Sequence, residues 1–275
     1  MIVFPNAKIN LGLQIVGRRS DGYHLLRTVF CPVPLYDSLE FVVRVDGGTE
    51  DSLEVRGDAS LAVELDNLVL KATKALRCLR PIPYLHIYLH KAIPSGAGMG
   101  GGSADASFML RGLRDEFAPD LSDEELETLA LSLGADCPFF IRNTPALGEG
   151  IGEQLQPLGF DPLAGWHLVV VKPDLHISTR EAFAGLGELL TPEETLEELI
   201  RLHPSSWRGR LVNDFERSLY PQYPILSNLL ERLYSLGAVY ASMTGSGAAL
   251  YGLFDREVEG LASHFEQCFV WQSRL

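Results

Sequence analysis

Residues 94–106 read Pro-Ser-Gly-Ala-Gly-Met-Gly-Gly-Gly-Ser-Ala-Asp-Ala, and no other stretch constrains the fold as tightly. Five of the seven residues from Gly96 to Gly102 are glycine, which lets the backbone take positive φ and approach a ligand closely. Upstream, Leu85, Ile87 and Leu89 alternate as a strand that ends in Lys91-Ala92-Ile93-Pro94. Downstream, Ser103 to Phe117 has the pattern of a helix. Its first turn offers free N–H groups and the positive end of the helix dipole. Strand, glycine loop and helix in that order make a cradle for an anion, and a nucleotide phosphate suits it.

The kind of cradle is restricted further. No lysine precedes Ser103, so the loop is not a Walker A motif. Gly96, Gly98 and Gly101 match GxGxxG, but the preceding chain is not βαβ and no acidic residue ends a following strand. That context disfavours a dinucleotide-binding oxidoreductase. Taken alone, the loop also reads as a flexible glycine turn.

Charge decides how such a site must be built. The 275 residues carry 23 Lys+Arg against 36 Asp+Glu, a net charge of -13. The overall field therefore opposes nucleic acid and anionic membranes as partners. A phosphate has to be held by local donors, namely backbone N–H groups and a few lysines. With 46% hydrophobic and 21% charged residues, the chain is of the globular class, not disordered or collagen-like. Cys31, Cys78, Cys137 and Cys268 are scattered without a CxxC pair, which argues for a reducing compartment and against a zinc site. No apolar run reaches the ~18 residues of a membrane span, and Met-Ile-Val-Phe-Pro at the start has no basic leader character. A cytoplasmic location is expected; no pattern sets an oligomeric state.

Other segments place the remaining candidates. From Ala7 to Val16, Ile9, Leu11, Leu13 and Ile15 alternate with Lys8, Asn10, Gly12 and Gln14, a half-buried strand with Lys8 and Asn10 on its polar face. Ser20-Asp21-Gly22 reads as a turn leading to Tyr23 and His24. Leu39 to Val45 forms a strand with a short partner at Leu53 to Val55. Asn67 caps a helix with the stripe Leu68, Ala72, Ala75, Leu76 and Leu79. Ser122 and Glu125 form a capping box for a helix that Gly134 closes as a left-handed cap, and Ala135-Asp136-Cys137-Pro138 follows as a tight loop. The second half offers a strand from Trp166, a helix start at Thr191-Pro192-Glu193-Glu194 and a helix from Pro224 to Leu236. Strands Ala238 to Met243 and Ala248 to Phe254 flank Thr244-Gly245-Ser246-Gly247. A helix carrying Val258, Leu261, Ala262 and Phe265 and a strand Cys268 to Trp271 close the chain. Without regular βαβ alternation the class is α+β, with a boundary near residue 150.

Each candidate for chemistry has an ordinary reading beside the functional one. A lysine on a polar strand face is commonly a surface residue, and a loop aspartate before Phe139-Phe140 is commonly a turn-former. If Lys8 and Asp136 meet, Asp136 accepts a proton from a hydroxyl nucleophile while Lys8 neutralises charge at a transferring phosphoryl group. Tyr23-His24 is either a plain loop pair or a base-stacking pair. Thr244 to Ala248 is either a hairpin or a further source of backbone donors. The other histidines show no metal-ligand spacing, and GxSxG is absent.

Together, Pro5 to Leu11, Pro94 to Ala106 and Thr244 to Ala249 resemble the three motifs of the GHMP kinase superfamily. Arg19 to His24, Thr28-Val29-Phe30 and Gly134 to Phe140 resemble one branch of it, which acts on a cytidine diphosphate-linked methylerythritol in the non-mevalonate route to isoprenoids. The resemblance implies a two-domain fold: residues 1–150 like ribosomal protein S5 domain 2, binding ATP, and residues 151–275 ferredoxin-like, with the active site between. It implies ATP as co-substrate with Mg2+, and transfer of the γ-phosphate to the 2-hydroxyl of the methylerythritol. Asp136 matches the catalytic base and Lys8 its partner, with Asn10 near the same hydroxyl. Tyr23, His24, Phe30 and Phe183 match the substrate pocket. Pro94, Ser95, Gly96, Ala97, Gly98, Met99, Gly100, Gly101, Gly102, Ser103 and Ala104 would wrap the nucleotide, with Asn67, Lys91, Thr244, Gly245, Ser246 and Gly247 bordering it. No dedicated acidic metal ligand matches; Ser103 is the candidate. The alternatives are a superfamily kinase of homoserine, mevalonate or a sugar, and a nucleotide-binding module without turnover.

Overall fold

The computed structural model describes residues 1–20, 22–57, 67–187 and 194–275. Asp21 of the expected turn and Thr191, Pro192 and Glu193 of the expected helix start lie outside the described residues. Along the chain run β1 (Ile2–Val3), β2 (Asn6–Arg18), β3 (His24–Tyr36), β4 (Ser38–Val43), β5 (Ser52–Arg56), α1 (Leu68–Arg77), β6 (Leu85–His90), α2 (Gly101–Phe117), α3 (Asp123–Leu131) and α4 (Cys137–Arg142). After them come β7 (Ala146–Glu149), β8 (Gln154–Pro157), β9 (His167–Pro173), α5 (Thr179–Ala184), α6 (Leu196–Leu199), α7 (Phe215–Gln222), α8 (Pro224–Ser235), β10 (Tyr240–Met243), β11 (Leu250–Phe254), α9 (Leu261–His264) and β12 (Cys268–Arg274). The mixture is α+β, as the patterning predicts.

Two compact units form. The first gathers Met1–Ala7, Pro34–Ser95 and Gly100–Thr144; the second gathers Lys8–Val33, Gly96–Met99 and Pro145–Leu275. Pro145 opens the last stretch of the second unit, and Lys8–Val33 joins that unit because β3 pairs with β7, Thr28 opposite Gly148.

In the first unit the sheet order is β1-β4-β6-β5, with β4 antiparallel and β5 parallel to β6. Leu39, Phe41, Leu85, Ile87 and Leu89 pack on Val69, Ala72 and Leu76 of α1 and on Met109, Leu110 and Leu113 of α2. Asn67 caps α1 by accepting from the Val69 N–H at 2.9 Å, a contact worth ~1 kcal/mol. The buried face of α1 is Val69, Ala72, Thr73 and Leu76, which corrects the expected stripe. The helix stops at Arg77, so Leu79 lies beyond it and is exposed, while the Thr73 hydroxyl satisfies itself on the Val69 carbonyl at 2.9 Å.

Both halves of the Ser122/Glu125 capping box are present on α3. Gly134, however, does not take positive φ; α3 is capped by Ser132 in the right-handed region. The chain needs no left-handed reversal because α4 begins at once, with Pro138 in its first turn. The expected tight loop is therefore a helix start, and Asp136 stands at its N-cap position.

In the second unit β10-β11-β9-β12 form an antiparallel sheet, and a second sheet runs in the order β2-β3-β7-β8, with β7 antiparallel to both β3 and β8. Val169, Val171 and Leu250 from the former pack with Leu13 and Ile15 of β2 and with Phe215, Leu219, Leu226 and Leu233 of the helices. Strand β3 is absent from the sequence reading, because Pro32 and Pro34 interrupt the run Val29, Cys31, Val33, Leu35. The β7–β8 hairpin turns on Gly150 and Gly152, both at positive φ. At the C-terminal end only Leu261–His264 is helical, shorter than the expected helix, though Val258 and Phe265 are still buried.

Candidate active site

Both faces of β2 are covered over its first ten residues, so Lys8, 3% exposed, is no surface lysine. A buried ammonium is tolerated only with partners. Lys8 Nζ donates to Asn10 Oδ1 at 2.7 Å and to the Gly98 carbonyl at 3.0 Å, and lies 5.3 Å from the centre of the Phe30 ring. Asn10 Nδ2 donates to Thr28 Oγ1 at 2.9 Å, its N–H donates to Thr244 Oγ1 at 3.0 Å, and its carbonyl accepts from the Tyr251 hydroxyl at 3.0 Å. The second unit thus brings Lys8, Asn10, Phe30, Gly98 and Thr244 into one buried cluster. Thr28, part of a sequence motif but given no role there, completes it together with Tyr251, which has no sequence signal.

Residues 96–99 of the glycine loop are gripped from two sides. Met99 O accepts from the Lys8 N–H at 3.0 Å, and the N–H groups of Ala248 and Ala249 reach Gly96 O and Ala97 O at 3.3 Å each. Gly98 sits at φ +69, where a Cβ would lie 2.2 Å from the Thr244 carbonyl oxygen. The far side of this contact is fixed by Asn213, whose Nδ2 donates to Met243 O at 2.9 Å and Gly245 O at 2.8 Å. Thr244 to Ser246 is thus both a hairpin and a wall of the loop.

Elsewhere in the second unit His24 stacks on Phe183, ring centres 4.8 Å apart and 12° from parallel, while Phe183 meets the edge of Phe215 at 4.9 Å. Burial, then the nearby Arg18, lower the His24 pKa, favouring neutral imidazole. Tyr23 is 62% exposed, leaving much of its ring open to solvent.

The first unit holds the flanks of the loop. Gly100 is the N-cap of α2 at φ +71, so the helix begins at Gly101, two residues before the expected Ser103. Ala104 is fully buried. Pro94 and Ser95 lead in from β6, and Asn67 Oδ1 is engaged by the Val69 N–H. Lys91, also buried, gives its ammonium to Asp37 and, at 2.6 Å, to Asp105 Oδ2. Burial alone would lower its pKa, but the two carboxylates outweigh that and hold it above the ordinary lysine value. Asp105 is pushed up to about 7, chiefly by burial and against the attraction of Lys91, and its Oδ1 has no hydrogen-bond partner among the described residues.

Asp136 belongs to the same unit and is placed by the anchoring of α4. Ser107 Oγ donates to the Cys137 carbonyl at 2.7 Å, and the amides of Asn6 and Asn143 exchange hydrogen bonds at 2.7 and 3.2 Å. The Asp136 side chain does not cap its own helix. Among the described residues no group of three His, Cys, Asp or Glu could hold a metal ion, and no helix is long and apolar enough to cross a membrane.

The model of the GHMP kinase N-terminal domain matches residues 67–143, and that of the C-terminal domain matches residues 188–269. A relative from Porphyromonas gingivalis named 4-diphosphocytidyl-2-C-methyl-D-erythritol kinase is 50% identical over 273 residues, 99% of each chain. This chain belongs to the GHMP kinase family. A relative of the same name from Parabacteroides distasonis is 46% identical to this GHMP kinase, with 100% of both chains covered. A crystal structure of 4-(cytidine 5'-diphospho)-2C-methyl-D-erythritol kinase matches it with a TM-score of 0.77 at 30% identity, over 99% of this chain and 98% of that one.

The cysteines of this GHMP kinase give a probe of α4 that needs no substrate. Burial pushes the Cys137 thiol up to about 11 and the Cys31 thiol well above its usual value, whereas Cys78 is exposed. Native protein treated with a chromogenic disulfide at pH 8 should react first at Cys78 and then at the half-buried Cys268. Cys31 and Cys137 should respond only after denaturation; fast labelling of Cys137 would show that α4 opens in the native state.

Proposed function

We propose that this GHMP kinase transfers the γ-phosphate of ATP to the 2-hydroxyl of 4-diphosphocytidyl-2-C-methyl-D-erythritol, giving the 2-phosphate and ADP, in the cytoplasmic non-mevalonate route to isoprenoids. The observation that carries this reading is the buried Lys8 wired to Asn10 and to the carbonyl of Gly98 in the glycine loop. A cation fixed on a phosphate cradle supplies the charge stabilisation on which phosphoryl transfer depends. The assignment of the acceptor rests on relatives that carry that kinase's name over the full chain.

In this mechanism the acceptor oxygen attacks the γ-phosphorus as the bond to the β,γ-bridging oxygen breaks. The Asp136 carboxylate takes the hydroxyl proton, and Asn10 and Lys8 hold the reacting groups. Pro94 to Ala104 wrap the nucleotide, joined by Thr244 to Gly247, with Asn67 and Lys91 at its border. Mg2+ fits as a companion of the nucleotide: a hard cation takes oxygen ligands, and the Ser103 hydroxyl in the first turn of α2 is the one this chain would add to those of the phosphates. When bound it neutralises phosphate charge.

Tyr23, His24, Phe30 and Phe183 form the proposed cytidylyl pocket. Stacking on an aromatic ring is worth ~1–3 kcal/mol per base. Tyr23→Ala should therefore raise KM for the cytidylyl substrate ~10-fold and leave KM for ATP near its original value. Equal effects on both would remove Tyr23 from the pocket. The function itself is tested by ADP release from ATP and Mg2+ with the cytidylyl alcohol, homoserine, mevalonate and galactose in parallel. Turnover on the cytidylyl compound alone is expected. Turnover on another alcohol would replace the acceptor, and ATP binding without turnover on any would indicate a binding module.

A further inference from the structure

We infer that Asp37 is a positioning residue for nucleotide binding, acting through Lys91 to clamp the two ends of the glycine loop together. The inference rests on the reading of that loop as the ATP cradle.

Asp37 lies between β3 and β4, fully buried and far in sequence from the loop. Its own N–H donates to the Pro5 carbonyl at 2.8 Å, which anchors the residue. Oδ1 accepts from the N–H groups of Ala92 at 2.6 Å and Ile93 at 2.9 Å, the segment by which the chain enters the loop. Oδ2 accepts from Lys91 Nζ, and the same ammonium donates to Asp105 Oδ2 at 2.6 Å in α2, the helix by which the chain leaves. Entry and exit are both parts of the first unit, so one carboxylate and one ammonium span them. Gly101 packs against the clamp: a Cβ there would meet Ile93 Cγ2 at 3.0 Å and Lys91 Nζ at 3.3 Å.

Nothing in phosphoryl transfer consumes Asp37, and a buried ionic cluster is an inefficient way to gain stability when apolar packing of the same volume does as well. Its value lies in geometry. A loop with five glycines in seven positions has many conformations to lose when it closes on a nucleotide. Fixing its ends beforehand removes part of that loss from the binding step.

The experiment compares wild type, Asp37→Asn, Lys91→Met and the double variant in ATP titrations and steady-state kinetics. Asp37→Asn keeps the shape and an acceptor for Ala92 and Ile93 but loses the charge facing Lys91. It should weaken ATP binding ~10-fold while kcat and KM for the acceptor alcohol change less than ~3-fold. Lys91→Met should weaken ATP binding as well, and the double variant should bind ATP no worse than the weaker-binding single variant. Multiplying effects would mean that Lys91 acts on the nucleotide independently of Asp37, overturning the inference, as would equal losses for ATP and acceptor. Wild type that fails to bind ATP would overturn the ATP-cradle reading too, whereas a variant binding ATP like wild type strikes only this inference. If Asp37→Asn does not fold, hydrogen exchange on wild type decides: the Ala92 and Ile93 amides should be as protected without nucleotide as with it. Protection that appears only with nucleotide would overturn the clamp.

Discussion

Asp136→Asn is expected to cut kcat by ~10^3-fold while ATP affinity stays within ~3-fold, since the role proposed for this carboxylate is to take a proton and not to hold the phosphates. Asparagine has the size of aspartate and cannot take a proton from the acceptor hydroxyl. No helix cap is lost: the Asp136 side chain makes no capping bond to α4, and that helix is held by Ser107 on the Cys137 carbonyl and by the Asn6–Asn143 amide pair. The check is a burst-free steady-state assay beside calorimetric titration with a non-hydrolysable ATP analogue. Turnover within a few-fold of wild type would take the base role away from Asp136.

Gly98→Ala should be nearly as damaging for a different reason. An alanine at φ +69 costs ~1 kcal/mol in backbone strain alone. The new Cβ would lie 2.2 Å from Thr244 O and 3.1 Å from Gly247 O, both backbone atoms that no rotamer change can move aside. The loop must shift by an ångström or so, carrying the Gly98 carbonyl away from Lys8. Misplacement on that scale is worth ~10^2-fold in kcat/KM for ATP. Gly187→Ala is the control, because a Cβ there meets nothing within 4 Å and φ is unexceptional. It should change stability by less than ~0.5 kcal/mol. If Gly98→Ala retained wild-type kinetics, the grip of Thr244 on the loop would be irrelevant to nucleotide binding.

What could be read directly from the chain was local. Asn67 as a cap, the Ser122/Glu125 box, the alternation of Leu85, Ile87 and Leu89, and the glycine loop before α2 all depend on neighbours within a few residues, and each stands in the structure. The misses came from distance. Lys8 looks half-exposed on its strand because the groups that meet its ammonium, the Gly98 carbonyl and the Phe30 ring, are remote in sequence. Asn213, Tyr251 and Asp37 likewise have no local signature, since each earns its place through a backbone group remote from it. Strand β3 was hidden by prolines whose missing N–H groups the alternation rule counts against a strand. The start of α4 reads as a loop in the sequence because a six-residue helix has too few turns to show periodicity.

The double grip on residues 96–99 bears on how such a sequence can vary in length. Its carbonyls at Gly96, Ala97 and Met99 are bound by N–H groups of Ala248, Ala249 and Lys8, so the stretch is ruled off at both ends like a measured span. Inserting or deleting one residue there would throw all three bonds out of step, with no slack to absorb the change. Around Gly47 a Cβ would meet nothing within 4 Å, and an extra residue there would bulge into solvent. Side chains in the glycine loop can be exchanged where space permits, but its residue count is set by β2 and by the turn between β10 and β11, which lie hundreds of atoms away along the backbone.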